Sequence, residues 1–76
     1  MKVRFTNGGQ VVEIDNPKAL VNYMRTDSAQ YDDNSKYMKD YARRAVINAD
    51  EDIRATSEKE FVEDLIKHRH IIVLKE

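Results

Sequence analysis

Apolar and polar side chains alternate along the first fourteen residues, with one interruption. Val3 and Phe5 share one face of the first segment, and Val12 and Ile14 share one face of the second. The sequence Asn7-Gly8-Gly9 separates them, and an Asn-Gly pair supplies the positive φ angles that a tight hairpin turn needs. The pattern therefore predicts a β-hairpin at the start of the chain.

A 3.6-residue period replaces the alternation after this hairpin. Asp15-Asn16-Pro17 predicts the start of a helix, because Asp and Asn accept hydrogen bonds from the free N–H groups of a first turn and proline suits the first helical position. We expect the helix to end near Arg25 or Thr26, before a polar connection over residues 27–34. The predicted apolar stripe is Ala19, Leu20, Tyr23 and Met24.

Two more helices are predicted in the second half of the chain. Asn34 or Ser35 is the expected cap of one, which ends between Asn48 and Asp52. Ser57 and Glu60 have the spacing of a capping box at the start of the other. The apolar side of the former comprises Tyr37, Met38, Tyr41, Ala42, Ala45 and Val46, and the inward residues of the latter are Phe61, Val62, Leu65 and Ile66.

The run Ile71–Leu74 predicts a final strand with apolar residues on both faces. The element order is then β-β-α-α-α-β, which favours an α+β fold with a small three-stranded sheet packed on one face by three helices. We expect one domain over residues 1–76. The pattern leaves open whether the last strand lies beside Val3–Phe5 or beside Val11–Ile14.

Composition narrows the class of protein. The chain has 76 residues, no cysteine and a formal net charge of −1, so it lacks disulfides, thiolate zinc ligands and the basic excess of a dedicated nucleic-acid binder. Its longest apolar run has four residues and its first residues have no apolar segment typical of a signal peptide, so we expect neither a membrane span nor a membrane partner. A cytoplasmic location fits the absence of cysteine.

The run Lys67-His68-Arg69-His70 is the most chemical stretch of the sequence. The favoured interpretation is a helix end, where cations offset the negative end of the helix dipole. A pH-sensitive or catalytic role for His68 or His70 is an alternative that requires a concave pocket and a carboxylate neighbour. A metal site is a weaker alternative, because two histidines two residues apart do not share a helical face.

No other stretch carries a catalytic or cofactor signature. The acidic clusters Asp32-Asp33 and Asp50-Glu51-Asp52 lack the glycine of a calcium loop and are interpreted as solvated loop carboxylates. Gly8-Gly9 is a turn rather than a phosphate loop, because neither a lysine nor a helix start follows it. We therefore expect a protein that is not an enzyme and needs no cofactor or metal.

Two surfaces remain as candidates for binding. A possible interaction surface on the outer face of the sheet would contain Val11 and either the Ile71/Val73 pair or, as we prefer, Ile72 and Leu74. A possible basic patch on the second helix comprises Lys36, Lys39, Arg43 and Arg44. The patch would require its cations to remain free of carboxylates in the fold.

The whole arrangement resembles a loose group of short uncharacterised prokaryotic proteins. The shared pieces are the strand–turn–strand opening with Asn7-Gly8, a helix opened by a proline at Pro17, and a capped helix at Ser57 before a C-terminal strand. The resemblance implies a compact cytoplasmic α+β domain and carries over no activity or functional residue. The leading expectation is a small non-enzymatic protein-interaction or regulatory module, with self-association possible. The alternative is a nucleic-acid-associated accessory protein that uses the basic patch.

Overall fold

The predicted α+β architecture is confirmed in a computed structural model, which describes residues 1–28 and 31–74. The predicted connection over 27–34 includes residues 29 and 30, which lie outside the described residues. In chain order the elements are β1 (Lys2–Phe5), β2 (Val11–Glu13), α1 (Pro17–Ser28), α2 (Asn34–Ala49), α3 (Glu58–Lys67) and β3 (Ile71–Leu74).

The sheet is antiparallel throughout, and its strand order is β2-β1-β3. The last strand therefore pairs with β1, which settles the question that the sequence leaves open. Val3 lies opposite Val12 on one side and opposite Val73 on the other. Opposite residues of an antiparallel pair point to the same face, so these three valines face the helices. Val3 itself is completely buried.

The hairpin turn uses both glycines. The φ angles of Gly8 and Gly9 are 101° and 73°, in the left-handed region that only glycine adopts without strain. The Phe5 amide donates to the Gln10 carbonyl at 2.8 Å, and the Gly9 amide donates to the Phe5 carbonyl at 3.0 Å. The turn is confirmed, although its positive φ angles fall on the two glycines rather than on Asn7.

Each helix begins at a side chain that accepts a backbone N–H. The Ala19 amide donates to Asn16 Oδ1 at 2.8 Å, and the Glu60 amide donates to Ser57 Oγ at 3.2 Å, as predicted. The expected caps of α2, Asn34 and Ser35, are wrong: Asp33 accepts from the Lys36 amide at 2.8 Å. An aspartate one residue earlier serves as well as a cap because its carboxylate also faces the positive end of the helix dipole. Helix α1 extends to Ser28, about half a turn beyond the predicted end.

One apolar core lies between the sheet and the helices. Two residues that the helical periods placed inward, Val46 and Ile66, are instead 50% and 38% exposed. Each follows a buried residue, Ala45 or Leu65, and successive helical side chains are about 100° apart, so each lies beyond the edge of its buried stripe. The core residues are Val3, Ile14, Leu20, Val21, Tyr37, Met38, Ala45, Ile53, Phe61, Val62, Leu65 and Ile71.

An ion pair fastens the α2–α3 connection to α3. Asp64 is only 6% exposed and accepts three hydrogen bonds from Arg54. The donors are the backbone amide at 2.8 Å, Nε at 2.9 Å and Nη2 at 3.1 Å. These bonds to the charged form lower the pKa of Asp64, with the Arg54 side chain as the largest cause. Arg54 also reaches Glu60 at 3.0 Å and Glu63 at 3.4 Å.

No helix in the described part of the chain is both long and apolar enough to cross a membrane.

Candidate functional site

His70 is positioned by the turn that ends α3. The His70 amide donates to the Leu65 carbonyl at 2.8 Å, and the Arg69 amide donates to the Ile66 carbonyl at 3.1 Å, which is the hydrogen-bond pattern of a Schellman motif. Arg69 occupies its left-handed position with a φ of 62°, where glycine is usual. The helix-end interpretation therefore describes Lys67 and His68, whereas His70 lies beyond the helix and turns towards the interior.

Glu51 reaches the same place from the end of α2. Asp50, with a φ of 54°, forms the left-handed cap of that helix, and the Glu51 amide donates to the Ala45 carbonyl at 3.2 Å. The interpretation of Glu51 as a solvated loop carboxylate is wrong, because its side chain is only 24% exposed and contacts both histidines. Two helix ends thus bring a carboxylate and an imidazole together.

Tyr41, Glu51 and His70 form a continuous hydrogen-bonded chain. His70 Nε2 lies 2.6 Å from Glu51 Oε1, and His70 Nδ1 lies 2.6 Å from the Tyr41 hydroxyl. A carboxylate only accepts, so Nε2 carries the proton, and in the neutral imidazole Nδ1 then accepts from Tyr41. His68 Nδ1 lies 3.7 Å from the other Glu51 oxygen. Both nitrogens of His70 are therefore occupied.

The phenol of Tyr41 keeps its proton over the ordinary pH range. Burial of the side chain, followed by the negative charge that Tyr37 and Glu51 can carry, raises the pKa of Tyr41 to about 12. A tyrosine that acts as a base or as a phenolate nucleophile would have a lowered pKa instead. What remains open for chemistry is the Tyr41 oxygen, which can still accept a hydrogen bond.

Two clefts meet at Tyr41 and His70. The larger has a volume of about 570 Å³ and lies between the hairpin turn and the helices, with Phe5, Tyr23 and Tyr37 among its lining residues. The smaller has a volume of about 420 Å³ and is lined by Arg44 and Glu51, among others. The concave pocket and the carboxylate neighbour that the catalytic alternative requires are therefore present around His70.

Among the described residues, no group of three or more histidine, aspartate or glutamate side chains is placed to hold a metal ion.

The strand register assigns the outer face of the sheet. Arg4 lies opposite Val11 on one side and opposite Ile72 on the other, while Lys2 lies opposite Leu74. The preferred Ile72/Leu74 pair therefore shares the outer face with Val11, as the sequence suggested. Lys2 and Arg4 separate them, however, and Val11 lies two strands from β3, about 10 Å away. The three residues thus share a face without forming one apolar patch.

The free edge of β3 is the least protected apolar feature of the sheet. In the described part of the chain, β3 pairs only with β1 and its other edge has no backbone partner. Its four residues include no charge and no proline, the features that commonly protect an edge strand. Val73 faces the core side of the sheet and is nevertheless 45% exposed.

The possible basic patch is largely paired with carboxylates. Lys36 lies 3.5 Å from Asp32, and both Arg43 and Arg44 lie 3.8 Å from Asp40. Lys39 is exposed, with no carboxylate of the described residues within ion-pair distance. The nucleic-acid alternative requires cations that remain free of carboxylates. Three of the four cations of the possible basic patch do not meet this requirement.

Sequence reasoning assigned Tyr41 to the core, set Glu51 aside and left Asp64 out of account. Glycine or asparagine at positions 50 and 69 would have signalled the two helix-ending turns, but Asp50 and Arg69 give only a weak signal or none.

No known protein family, curated protein or solved structure matches this chain.

Proposed function

We propose that this chain is a small, non-enzymatic protein-interaction module of the cytoplasm, and that its partner is a second copy of itself, joined through the free edge of β3. The observation that carries the proposal is the combination of an unprotected, wholly apolar edge strand with a valine that is 45% exposed on the core side of that strand.

A single register of pairing between two β3 strands would both pair the free edge of β3 and cover the exposed Val73. If two copies pair antiparallel about a two-fold axis at Val73, each Val73 faces Val73 of the second copy and each Ile72 faces Leu74 of the second copy. Residues of like facing then meet, so the two three-stranded sheets join into one of six strands with all helices on one face. Exposed Val73 becomes covered by its own equivalent.

Charge favours a second copy over a basic or an acidic partner. No residue of β3 is charged, so self-pairing brings no like charges together. A face-to-face arrangement through the outer face would instead oppose Lys2 and Arg4 of both copies, which would be unfavourable. The edge is therefore the better candidate than the face for the interaction, with Ile72 and Leu74 contributing and Val11 remaining outside it.

The non-enzymatic part of the proposal is supported by the site at His70. The raised pKa of Tyr41 keeps its phenol protonated, so Tyr41 is neither a ready base nor a phenolate nucleophile there. The nucleic-acid alternative is disfavoured because three of the four cations of the basic patch pair with carboxylates.

Sedimentation equilibrium over a concentration range would test the proposal. A four-residue edge makes a small interface, so concentrations up to ~1 mM are needed. We expect a reversible dimer of the 8.9 kDa chain. Val73→Lys should raise the dissociation constant at least about tenfold, because an inward-pointing charge on an edge strand blocks pairing.

Val11→Lys is the matched control, since Val11 is 48% exposed on the other edge strand. It should leave the dissociation constant unchanged. A wild-type chain that stays monomeric at ~1 mM, or equal effects of the two variants, would contradict the proposal.

A further inference from the structure

The larger cleft has walls rich in aromatic rings. Phe5 and Tyr23 stack with their ring centroids 6.1 Å apart and their planes 19° apart. Helix α2 contributes Tyr37 and Tyr41, whose ring centroids lie 6.2 Å apart. Four aromatic side chains from β1, α1 and α2 thus line one opening, whose volume of about 570 Å³ is within the usual range for small-molecule sites.

Two hydrogen-bond acceptors of this cleft, the Tyr41 oxygen and the Gln10 amide oxygen, can meet a cation, and the former lies near a negative charge. When His70 is neutral with its proton on Nε2, the Tyr41 hydrogen is directed to His70 Nδ1 and the Tyr41 oxygen can still accept. Glu51 lies behind His70, 2.6 Å from Nε2, and brings a carboxylate within one imidazole of the cleft. At the mouth, Gln10 donates its amide hydrogen to the Tyr23 hydroxyl, which leaves the amide oxygen of Gln10 as a further acceptor.

The charges of the residues that line the larger cleft also favour a positively charged ligand. Among the described residues, no lysine or arginine lines the larger cleft. Arg44 lines the smaller cleft instead and lies 3.8 Å from Asp40. The electrostatic balance therefore disfavours an anion and favours a positively charged group.

We propose that this cleft binds a small organic ammonium ion with an apolar body. The negative faces of aromatic rings attract ammonium groups, and partial burial strengthens that attraction. The ammonium N–H groups would donate to the Tyr41 oxygen, while the apolar body contacts Phe5 and Tyr23. The negative charge of Glu51, which is hydrogen-bonded to the far side of His70, adds to the preference for a cation.

The test is a titration of the full chain with three probes of similar shape and different charge: benzylammonium, benzyl alcohol and benzoate. Binding is followed by chemical-shift changes of the backbone amides. We expect benzylammonium to bind more tightly than benzyl alcohol by about three- to tenfold, and benzoate to bind most weakly. The shifts should centre on Gln10, Tyr41 and His70.

Two variants separate the cleft from the rest of the surface. Tyr41→Phe should weaken benzylammonium binding by about three- to tenfold, since it removes the acceptor and keeps the ring. Tyr31→Phe is the control, because the Tyr31 hydroxyl bonds Asp40 and lies outside the cleft lining; it should change binding less than about twofold. Val73→Lys should not affect binding, so the outcome is independent of self-association.

Benzoate binding as tightly as benzylammonium, an absence of shifts at the cleft, or equal losses in the two tyrosine variants would overturn the proposal. The ligand series is measured on the wild-type chain and therefore remains decisive even if a variant fails to fold.

Discussion

Replacement of Asp64 by asparagine should be among the most destabilising single-atom changes in this protein. The carboxylate is 6% exposed and accepts three hydrogen bonds from Arg54, one from its amide and two from its guanidinium. An asparagine side chain with its oxygen in the place of Oδ2 would still accept from the Arg54 amide and from Arg54 Nε. Its NH₂ group, in the place of Oδ1, would however face Arg54 Nη2, which also only donates, so the charge pair and one hydrogen bond are lost and a donor is left without an acceptor.

The size of the effect follows from the number and the exposure of these bonds. Hydrogen bonds to charged groups contribute about 1.5–3 kcal/mol each, but Arg54 is about half exposed and solvent recovers part of the loss. We therefore expect the free energy of unfolding to fall by about 2–3 kcal/mol. A chain of this length has a total of roughly 4–11 kcal/mol, so the loss is a large fraction.

Urea denaturation monitored by circular dichroism would measure this loss in the free energy of unfolding. With a slope of about 1 kcal/mol/M for a small domain, the midpoint should fall by about 2–3 M. Glu63→Gln is the matched control, because Glu63 also lies near Arg54, at 3.4 Å, but is 53% exposed. It should change stability by less than about 0.5 kcal/mol.

The pH dependence provides a second test of the same reasoning. Because Arg54 holds the pKa of Asp64 below its unfolded value, the pair contributes stability that is present above the unfolded pKa and is lost as the pH falls through the folded pKa. The difference between wild type and Asp64→Asn should therefore be largest near pH 7 and shrink below about pH 4. An equal difference at pH 7 and about pH 3, or a loss no greater than that of Glu63→Gln, would refute the reasoning.

Two further predictions concern the ends of helices, and both are measured by urea denaturation. Ser57→Ala should destabilise the fold by about 1 kcal/mol by removing the cap of α3, whereas Ser35→Ala should have little effect because Asp33 caps α2; equal effects would contradict the cap assignments. Arg69→Gly should stabilise the fold by up to about 1 kcal/mol by relieving a left-handed residue, whereas Arg69→Ala should give no gain because it keeps the Cβ. A loss of stability in Arg69→Gly would show that the arginine side chain, and not its backbone, matters there.

The elements of this fold were predictable because each has a local cause. Alternating side chains around two glycines specify the hairpin, and the caps Asn16 and Ser57 mark two helix starts before any tertiary contact is considered. Their signals lie within a few residues of sequence. The choice among Asp33, Asn34 and Ser35 could not be made in that way, because all three side chains can accept the same N–H groups.

The strand order depended on contacts between distant residues. β3 pairs with β1 where the Thr6 amide and hydroxyl donate to the His70 carbonyl at 3.1 Å and 3.0 Å, a contact across 64 residues that no local pattern contains. The exposure of Val46 and Ile66 likewise depends on how much of each helix its neighbours cover. A helical period gives the direction of a stripe but not how much of it a partner covers.

The candidate site was the least predictable part. Tyr41, Glu51 and His70 come from three separate segments, and their meeting depends on two left-handed turns at Asp50 and Arg69. Neither residue is the glycine that signals such a turn, so the sequence predicted a solvated glutamate and a histidine at a helix end.

The central proposal, that β3 pairs with β3 of a second copy, is tested most directly by an isotope-filtered NOE measurement on a sample that mixes labelled and unlabelled chains. Pairing about Val73 predicts intermolecular signals between the Val73 methyl groups of the two copies and between Ile72 and Leu74 of opposite copies. Intermolecular signals confined to another surface, or none at a concentration of ~1 mM, would contradict it.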